Sequence, residues 1–276
     1  MHRIVSCTAL FFLLGLIAPP SFADEAVLAR VIRKQAIDCG YYVSPPYFDK
    51  DPHTGKASGI NYEIMEAVGH RLNLTIKWVA EIGLGDVATN LGTKKIDVMC
   101  ASLWPNASRI QTMTLTTPLF HTPVHAYVRV GDRRFDGDLG KANRSDIRIS
   151  AIDGDFSYAL AQEMFPYATL ASLPSMASVS DVMLQVATRK ADLVMMDQAE
   201  ANEFMAHNKG ALAAITGVAP IRVYSEHLFV KREEYGLRNL LDGAIKQLID
   251  EGVIDQVLGS YNKKYQSDFI VKTTAQ

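Results

Sequence analysis

Two stretches of the chain, Asp86–Cys100 (DVATNLGTKKIDVMC) and Asp181–Met195 (DVMLQVATRKADLVM), align without a gap at an offset of 95 residues. Five of the fifteen aligned pairs are identical, and most of the others are chemically similar. In each stretch, apolar residues at helical spacing lead to a basic pair, which suits the carboxyl end of a helix. An aspartate then opens a short apolar run that is typical of a buried strand. A chance match is the alternative, but duplicated α/β lobes explain the repeat better.

Helical and strand patterns also alternate through the rest of the chain. The pattern predicts strands at Gln35–Tyr42, Leu74–Val79, His125–Val130, Ile147–Ile152 and Ile221–Val230, and helices at Tyr62–Arg71, from Ser157 onward, and over Leu237–Leu258. Alternation of this kind favours mostly parallel sheets with helices on both faces.

The first 23 residues have the organisation of a secretory signal peptide. His2 and Arg3 precede an uninterrupted apolar run, Ala9–Ala18, and Ser21-Phe22-Ala23 supplies small residues where a signal peptidase reads them. The apolar run is shorter than the roughly 20 residues of a membrane-spanning helix. We therefore expect cleavage after Ala23 and localisation in the periplasm.

Composition narrows the possible functions. The chain has 28 Lys+Arg against 30 Asp+Glu, a net charge of -2, and 48% hydrophobic residues. This is the composition of a globular protein, and it has no basic excess that would favour binding to nucleic acid.

The predicted cleavage leaves two cysteines, Cys39 and Cys100, each following an apolar stretch. We expect buried free thiols in or beside strands, because neighbouring parallel strands seldom meet the geometry of a disulfide. A Cys39–Cys100 disulfide is the alternative.

Motifs of the common enzyme classes are missing from the sequence. It contains no dinucleotide fingerprint, phosphate loop, nucleophile elbow or zinc-protease motif. His121 and His125 are four residues apart, but Pro123 between them disfavours the regular helix that would direct both towards one metal. We therefore expect no catalytic residues, no metal and no cofactor.

A series of short motifs runs in order from about Ala36 to about Tyr265. The motifs are Cys39–Phe48, Gly55–Glu63, Lys95–Val98, Arg109, Thr117–Phe120 and Ala191–Asp197. In this order and spacing they resemble the bacterial extracellular solute-binding proteins of family 3, which deliver polar amino acids to ABC importers.

The resemblance implies an α/β fold, the two-lobed periplasmic binding protein fold of type II. Each lobe would be a mostly parallel sheet flanked by helices, and two hinge strands would join the lobes. Lobe 1 would comprise residues 24–126 and 220–276, and lobe 2 residues 131–217. The resemblance also implies a periplasmic monomer that binds a small polar organic ligand and docks on an ABC transporter permease in the inner membrane.

The resemblance also assigns ligand contacts. Arg109 would bind a ligand carboxylate through its planar guanidinium. Asp197 would bind a ligand ammonium, and capping of the following helix is its alternative role. The remaining expected contacts are a hydroxyl donor, aromatic walls and a pair that follows Gly154: Ser102, Tyr42, Tyr47, Trp104, Asp155 and Phe156. The sequence leaves open which of Tyr41, Tyr42 and Tyr47 faces the ligand.

Two positions depart from the family pattern. Trp104 stands where the family has Ser or Thr, and Asp155-Phe156 stands where it has Thr-Thr. Because a carboxylate at position 155 would repel a ligand carboxylate unless it meets an amine, we expect a ligand with a carboxylate and a cationic or amine-bearing part. One alternative is an enzyme resembling cyclohexadienyl dehydratase, with Asp155 or Glu81 as the acid–base group. Another is an accessory or sensor module without a transporter.

Overall fold

The computed structural model describes residues 26–271, so the predicted signal peptide lies outside the described residues. Within this range, no helix combines the length and the apolar character needed to cross a membrane. The helices are α1 (Val27–Lys34), α2 (Ile60–Leu72), α3 (Val87–Gly92), α4 (Ala107–Thr112), α5 (Phe156–Met164), α6 (Val179–Ala187), α7 (Gln198–His207), α8 (Tyr235–Asp250) and α9 (Val253–Tyr265).

The strands alternate with these helices, as predicted. They are β1 (Ala36–Tyr41), β2 (Asp49–Lys50), β3 (Ala57–Ser58), β4 (Thr75–Glu81), β5 (Val98–Leu103), β6 (Met113–Leu115), β7 (Phe120–Arg129), β8 (Arg148–Ile152), β9 (Thr169–Leu173), β10 (Leu193–Asp197), β11 (Leu212–Ala214) and β12 (Arg222–Lys231). The prediction of one long helix over Leu237–Leu258 is wrong. The chain breaks into α8 and α9 at Gly252, whose φ of 73° lies in the left-handed region that glycine adopts without strain.

One long sheet organises the chain, with the strand order β4-β1-β5-β12-β7-β10-β8-β9. β1 pairs in parallel with β4 and β5, and β8 pairs in parallel with β9 and β10. β7 and β12 cross between these two groups and pair with each other antiparallel. We call residues 26–119 and 232–271 the β1 side, residues 130–221 the β10 side, and β7 and β12 the crossing strands.

The repeated sequence forms the same structure twice. In the first copy α3 leads into β5, and in the second α6 leads into β10. The hydroxyl of Thr93 donates to the carbonyl of Thr89 at 3.0 Å, and that of Thr188 donates to Leu184 at 2.7 Å. The predicted helix-into-strand unit in each half of the chain is therefore confirmed.

The two cysteines are joined by a disulfide, so the expectation of free thiols is wrong. In the parallel register of β1 and β5, Cys39 lies opposite Val98, two residues before Cys100. This diagonal places the two Cα atoms 5.4 Å apart, inside the range of about 4.4–6.8 Å that a disulfide spans. The bond ties the two strands at the centre of the β1 side together.

Candidate functional site

A cavity lies between the β1 side and the β10 side, at the carboxyl ends of β5 and β10. This is where open parallel sheets commonly bind ligands. Among the described residues, seven of the eight predicted site residues line the cavity: Tyr42, Tyr47, Ser102, Trp104, Arg109, Asp155 and Asp197. The eighth, Phe156, does not line the cavity and instead packs edge-on against the ring of Trp104.

Arg109 reaches across the cavity from the β1 side. The Asn106 side chain caps α4 by accepting from the backbone N–H of Arg109 at 2.8 Å, which fixes the base of the arginine. Its guanidinium donates through Nη1 to the carbonyl of Trp104 at 2.8 Å, and Nη2 lies 3.4 Å from Asp155 Oδ1. Arg109 is 5% exposed, and within residues 26–271 its Nε has no hydrogen-bond partner.

Asp155 is held by its own helix as well as by Arg109. Its Oδ2 caps α5, accepting from the backbone N–H of Ser157 at 3.1 Å and from the Ser157 hydroxyl at 2.7 Å. The extra carboxylate that the sequence placed here therefore lies against an arginine and a helix amino end, where negative charge is favourable.

Asp197 ends β10 and begins α7. Its Oδ1 accepts from the backbone N–H groups of Ala199 at 2.9 Å and Glu200 at 3.1 Å, so the residue caps the helix. Its Oδ2 has no hydrogen-bond partner in the described part of the chain, although the residue is only 1% exposed. A buried carboxylate oxygen in this state favours a donor from a bound molecule.

Two of the three candidate tyrosines face the cavity. The Tyr42 hydroxyl donates to the carbonyl of Ala177 on the β10 side. Tyr47 also lines the cavity, and among the described residues its hydroxyl has no hydrogen-bond partner. Burial raises the pKa of both phenols, so they are protonated donors at neutral pH. Tyr41 instead stacks on Phe48, with the ring centroids 4.8 Å apart.

Trp104 forms an aromatic wall that bridges the two sides. Its indole N–H donates to the hydroxyl of Thr122 on β7 at 3.0 Å. The ring stacks on Tyr224 and meets Phe156 edge-on, with centroid distances of 5.2 Å in both cases. Phe156 therefore supports the wall from behind, and Trp104 presents its own surface to the cavity.

Two acidic residues that sequence reasoning missed also line the cavity, Glu200 on α7 and Glu226 on β12. The hydroxyl of Ser44 donates to Glu200 Oε1 across the two sides. The hydroxyl of Thr122 donates to Glu226 Oε1 at 3.3 Å. Burial and the charge of Asp197 raise the pKa of Glu200 well above its usual range, and the same two causes raise the pKa of Glu226 to about 7. Glu226 carried a usable signal, because it is a charged residue at the edge of an apolar strand run.

The rim of the cavity holds the two sides in contact. The backbone N–H of Leu84 donates to the carbonyl of Ser175 at 3.1 Å, and the Ser175 hydroxyl donates to Asp86 at 3.1 Å. Gly154, with a φ of 75°, lies so close to Gly85 that a Cβ on it would be 2.5 Å from the Gly85 Cα. Across residues 26–271, no group of three or more His, Cys, Asp or Glu is arranged to hold a metal.

Residues 37–264 match the family model of the bacterial extracellular solute-binding proteins, family 3. A comparison with curated protein sequences gives no match. A solute receptor for L-cysteine from Neisseria gonorrhoeae has a TM-score of 0.76 at 14% identity, and the alignment covers 90% of this chain and 100% of that chain. An amino acid ABC transporter substrate-binding protein from Streptococcus pneumoniae, bound to L-arginine, has a TM-score of 0.73 at 16% identity over 88% and 100% of the chains.

A third similar structure is an ancestral amino acid-binding protein, described as a precursor of cyclohexadienyl dehydratase. Its TM-score is 0.74 at 16% identity, over 86% of this chain and 99% of that chain. Likeness at such low identity establishes the fold. It is the two-lobed α/β fold of type II periplasmic binding proteins, as predicted from the sequence.

Proposed function

The chain belongs to the bacterial extracellular solute-binding proteins of family 3, and we propose that it captures a small amino-acid-like ligand, with a carboxylate and an amine, between its two lobes. Lobe 1 would comprise residues 24–126 and 220–276, and lobe 2 residues 131–217, with the crossing strands as the hinge. We propose that the protein is periplasmic and delivers the ligand to an ABC importer.

The observation that carries this proposal is that Arg109 and Asp197 line one cavity from opposite sides. Arg109 comes from the β1 side and Asp197 from the β10 side. Because a zwitterion offers a carboxylate to the first and an ammonium to the second, it would bridge the two lobes. Burial of the ligand then favours the closed arrangement through hinge bending.

Calorimetry of the exported protein with a panel of amino acids, opines and betaines tests this proposal. We expect binding of at least one compound that carries both a carboxylate and an amine, and a rise in melting temperature with it. Asp197→Asn and Arg109→Lys should each weaken binding at least tenfold, because each removes a charge or a planar fork from a buried contact. Asp250→Asn, at an exposed aspartate at the end of α8, is the matched control. Binding of neutral sugars or simple anions alone would contradict the proposal.

Localisation and delivery have separate tests. Amino-terminal sequencing of the exported protein should begin at Asp24 if the predicted cleavage is right. Uptake of the ligand by cells that lack this chain should fall, and genes for a permease and an ATPase should neighbour its gene. Unchanged uptake, with no such neighbours, would favour the accessory or sensor role.

A second candidate function is an enzyme on the same fold, and one observation favours it. Glu200 and Glu226 are buried carboxyls with raised pKa values in the cleft, the property that a general acid needs. The two groups expected from the sequence suit the role less, because Glu81 is exposed and Asp155 lies against Arg109. Turnover of prephenate or arogenate that Glu200→Gln abolishes would favour the enzyme over the carrier.

A further inference from the structure

The cavity contains more acidic than basic side chains. Asp155, Asp197, Glu200 and Glu226 line it, and Arg109 is the only lysine or arginine that lines it in the described chain. Asp155 is the carboxylate that lies against Arg109. No ion pair within residues 26–271 includes any of the other three. The site therefore has an excess of carboxyl groups that protein cations do not balance.

The three remaining carboxyls are not equivalent. Glu200 accepts from the Ser44 hydroxyl and lies next to the charge of Asp197, which with its burial favours its protonated form. Asp197 keeps one buried oxygen that has no hydrogen-bond partner among the described residues. Glu226 is 3% exposed and accepts from the Thr122 hydroxyl at 3.3 Å, and hydrogen bonding from the Ser102 and Trp104 side chains lowers the pKa that its burial raises. Asp197 and Glu226 are thus the two groups that a ligand cation would stabilise most.

These two carboxylates enter the cavity from different strands. Asp197 on β10 lies opposite Val124 of β7, whereas Glu226 on β12 lies opposite Phe120 of β7. β10 and β12 flank β7, so the two side chains approach from opposite sides of that strand. They form two separate attachment points for positive charge.

We propose that the ligand is an amino acid with a second amino group, and that Glu226 binds the second ammonium. This inference rests on the proposed function of the same cavity. Asp197 binds the α-ammonium and Arg109 contacts the carboxylate. Glu226 is then the residue that determines specificity for charge.

Calorimetry at neutral pH with diaminobutyrate and norvaline tests the inference. Diaminobutyrate and norvaline have nearly the same shape and differ by one ammonium. We expect diaminobutyrate to bind at least tenfold more tightly than norvaline. In Glu226→Gln the preference over norvaline should disappear, while norvaline binding changes less than threefold. Glu233→Gln, at an exposed glutamate just beyond the same strand, should keep the preference.

The possible results separate the two proposals. Equal binding of norvaline and diaminobutyrate, or a preference that survives Glu226→Gln, overturns the role of Glu226 and leaves the amino-acid site standing. If no amino acid of either kind binds, the proposed function fails, and this inference fails with it. A cooperative thermal transition for Glu226→Gln shows that the variant is folded.

Discussion

The two helix-into-strand units have the same backbone and different strand ends. Lys94 and Arg189 hold equivalent positions, and both have left-handed backbones, with φ of 57° and 66°. Two residues beyond the repeated stretch, Ser102 and Asp197 are again equivalent, and both line the cavity. One offers a neutral hydroxyl and the other a carboxylate. The comparison shows that the repeated residues determine the shared helix-into-strand structure. The residues at the strand ends determine which chemical groups each side presents to the cavity.

An aspartate performs the same structural task in each unit. Asp97 Oδ2 accepts from the backbone N–H of Asp38, and Asp192 Oδ2 accepts from that of Arg148, both at 2.9 Å. In return, the N–H of each aspartate donates to the carbonyl of the same partner at 2.7 Å. Each aspartate therefore fixes the amino-terminal part of the neighbouring parallel strand.

The largest expected effect concerns the one covalent difference between the units. Cys100 is bonded to Cys39, whereas Met195 at the equivalent position packs in an apolar cluster. Reduction, or the double change Cys39→Ala with Cys100→Ala, should lower the free energy of unfolding by about 4 kcal/mol, because the bond closes a long loop in the unfolded chain. Urea unfolding with and without reductant measures this. A loss below about 1 kcal/mol would contradict it.

The two aspartates themselves allow a second test. Asp97 is 1% exposed, and its ion pair is with Arg30, so Asp97→Ala should lower the free energy of unfolding by about 3 kcal/mol. Asp192→Ala should cost about 1–2 kcal/mol, because Asp132 continues to pair with Arg134. Chemical unfolding of both variants measures the two losses of unfolding free energy. A larger loss for Asp192→Ala than for Asp97→Ala would contradict the prediction.

The pKa of Glu226, a buried acid of the site, is shifted in the opposite direction to that of Asp192, a buried acid of the fold. Against the effect of its burial, hydrogen bonds from Arg134 and Arg148 lower the pKa of Asp192. The pKa of Glu226 is raised from 4.5 to about 7, so the stability its protonated form brings is present below pH 4.5 and is lost as the pH rises through about 7. Glu226→Gln removes that loss. Relative to wild type, the ligand-free variant should gain about 3 kcal/mol at pH 8 and almost nothing at pH 4. Urea unfolding at both pH values measures it, and an equal effect at the two values would refute it.

The smallest expected effect concerns contact between the two sides. Because a Cβ at Gly154 would meet Gly85, Gly154→Ala should hold the sides apart and weaken ligand binding about tenfold, or about 1.4 kcal/mol. Gly210→Ala is the matched control, since Gly210 has a similar φ of 76° but open space around its Cβ position. Calorimetry of both variants separates the steric effect from backbone strain. Equal affinities would contradict it.

The sequence predicts most of the helices and strands because the spacing of apolar residues along the chain is a local property. The apolar spacing in both repeat copies and the basic pairs that follow identify the units without tertiary information. The disulfide depends on the register between β1 and β5, which no local pattern specifies. The break at Gly252 was missed because a single glycine inside a helical pattern is compatible with either continuation or termination.

The candidate site is only partly predictable for a related reason. The resemblance of the motif series to the family identified Arg109 and Asp197, and the tyrosines lie within one of its motifs. Glu200 was missed because its contact with Ser44 forms only where the two sides meet, and isolated carboxylates in a sequence are usually solvated. Glu226 was missed although it borders an apolar strand run. The contact between Asp155 and Arg109 joins the two sides, so no local signal predicts it.

The backbone hydrogen bond from Leu84 to Ser175 provides a test of the proposed hinge bending. This amide is protected by an acceptor on the opposite side, so its hydrogen would exchange with deuterium only when the sides separate. Its exchange rate, relative to that of an unprotected amide, is a measure of the open population. A ligand that bridges the sides should slow exchange at Leu84 in proportion to its occupancy, while amides in the middle of β5 keep their rates. One proton at the rim would thus report the opening equilibrium on the timescale of minutes to hours.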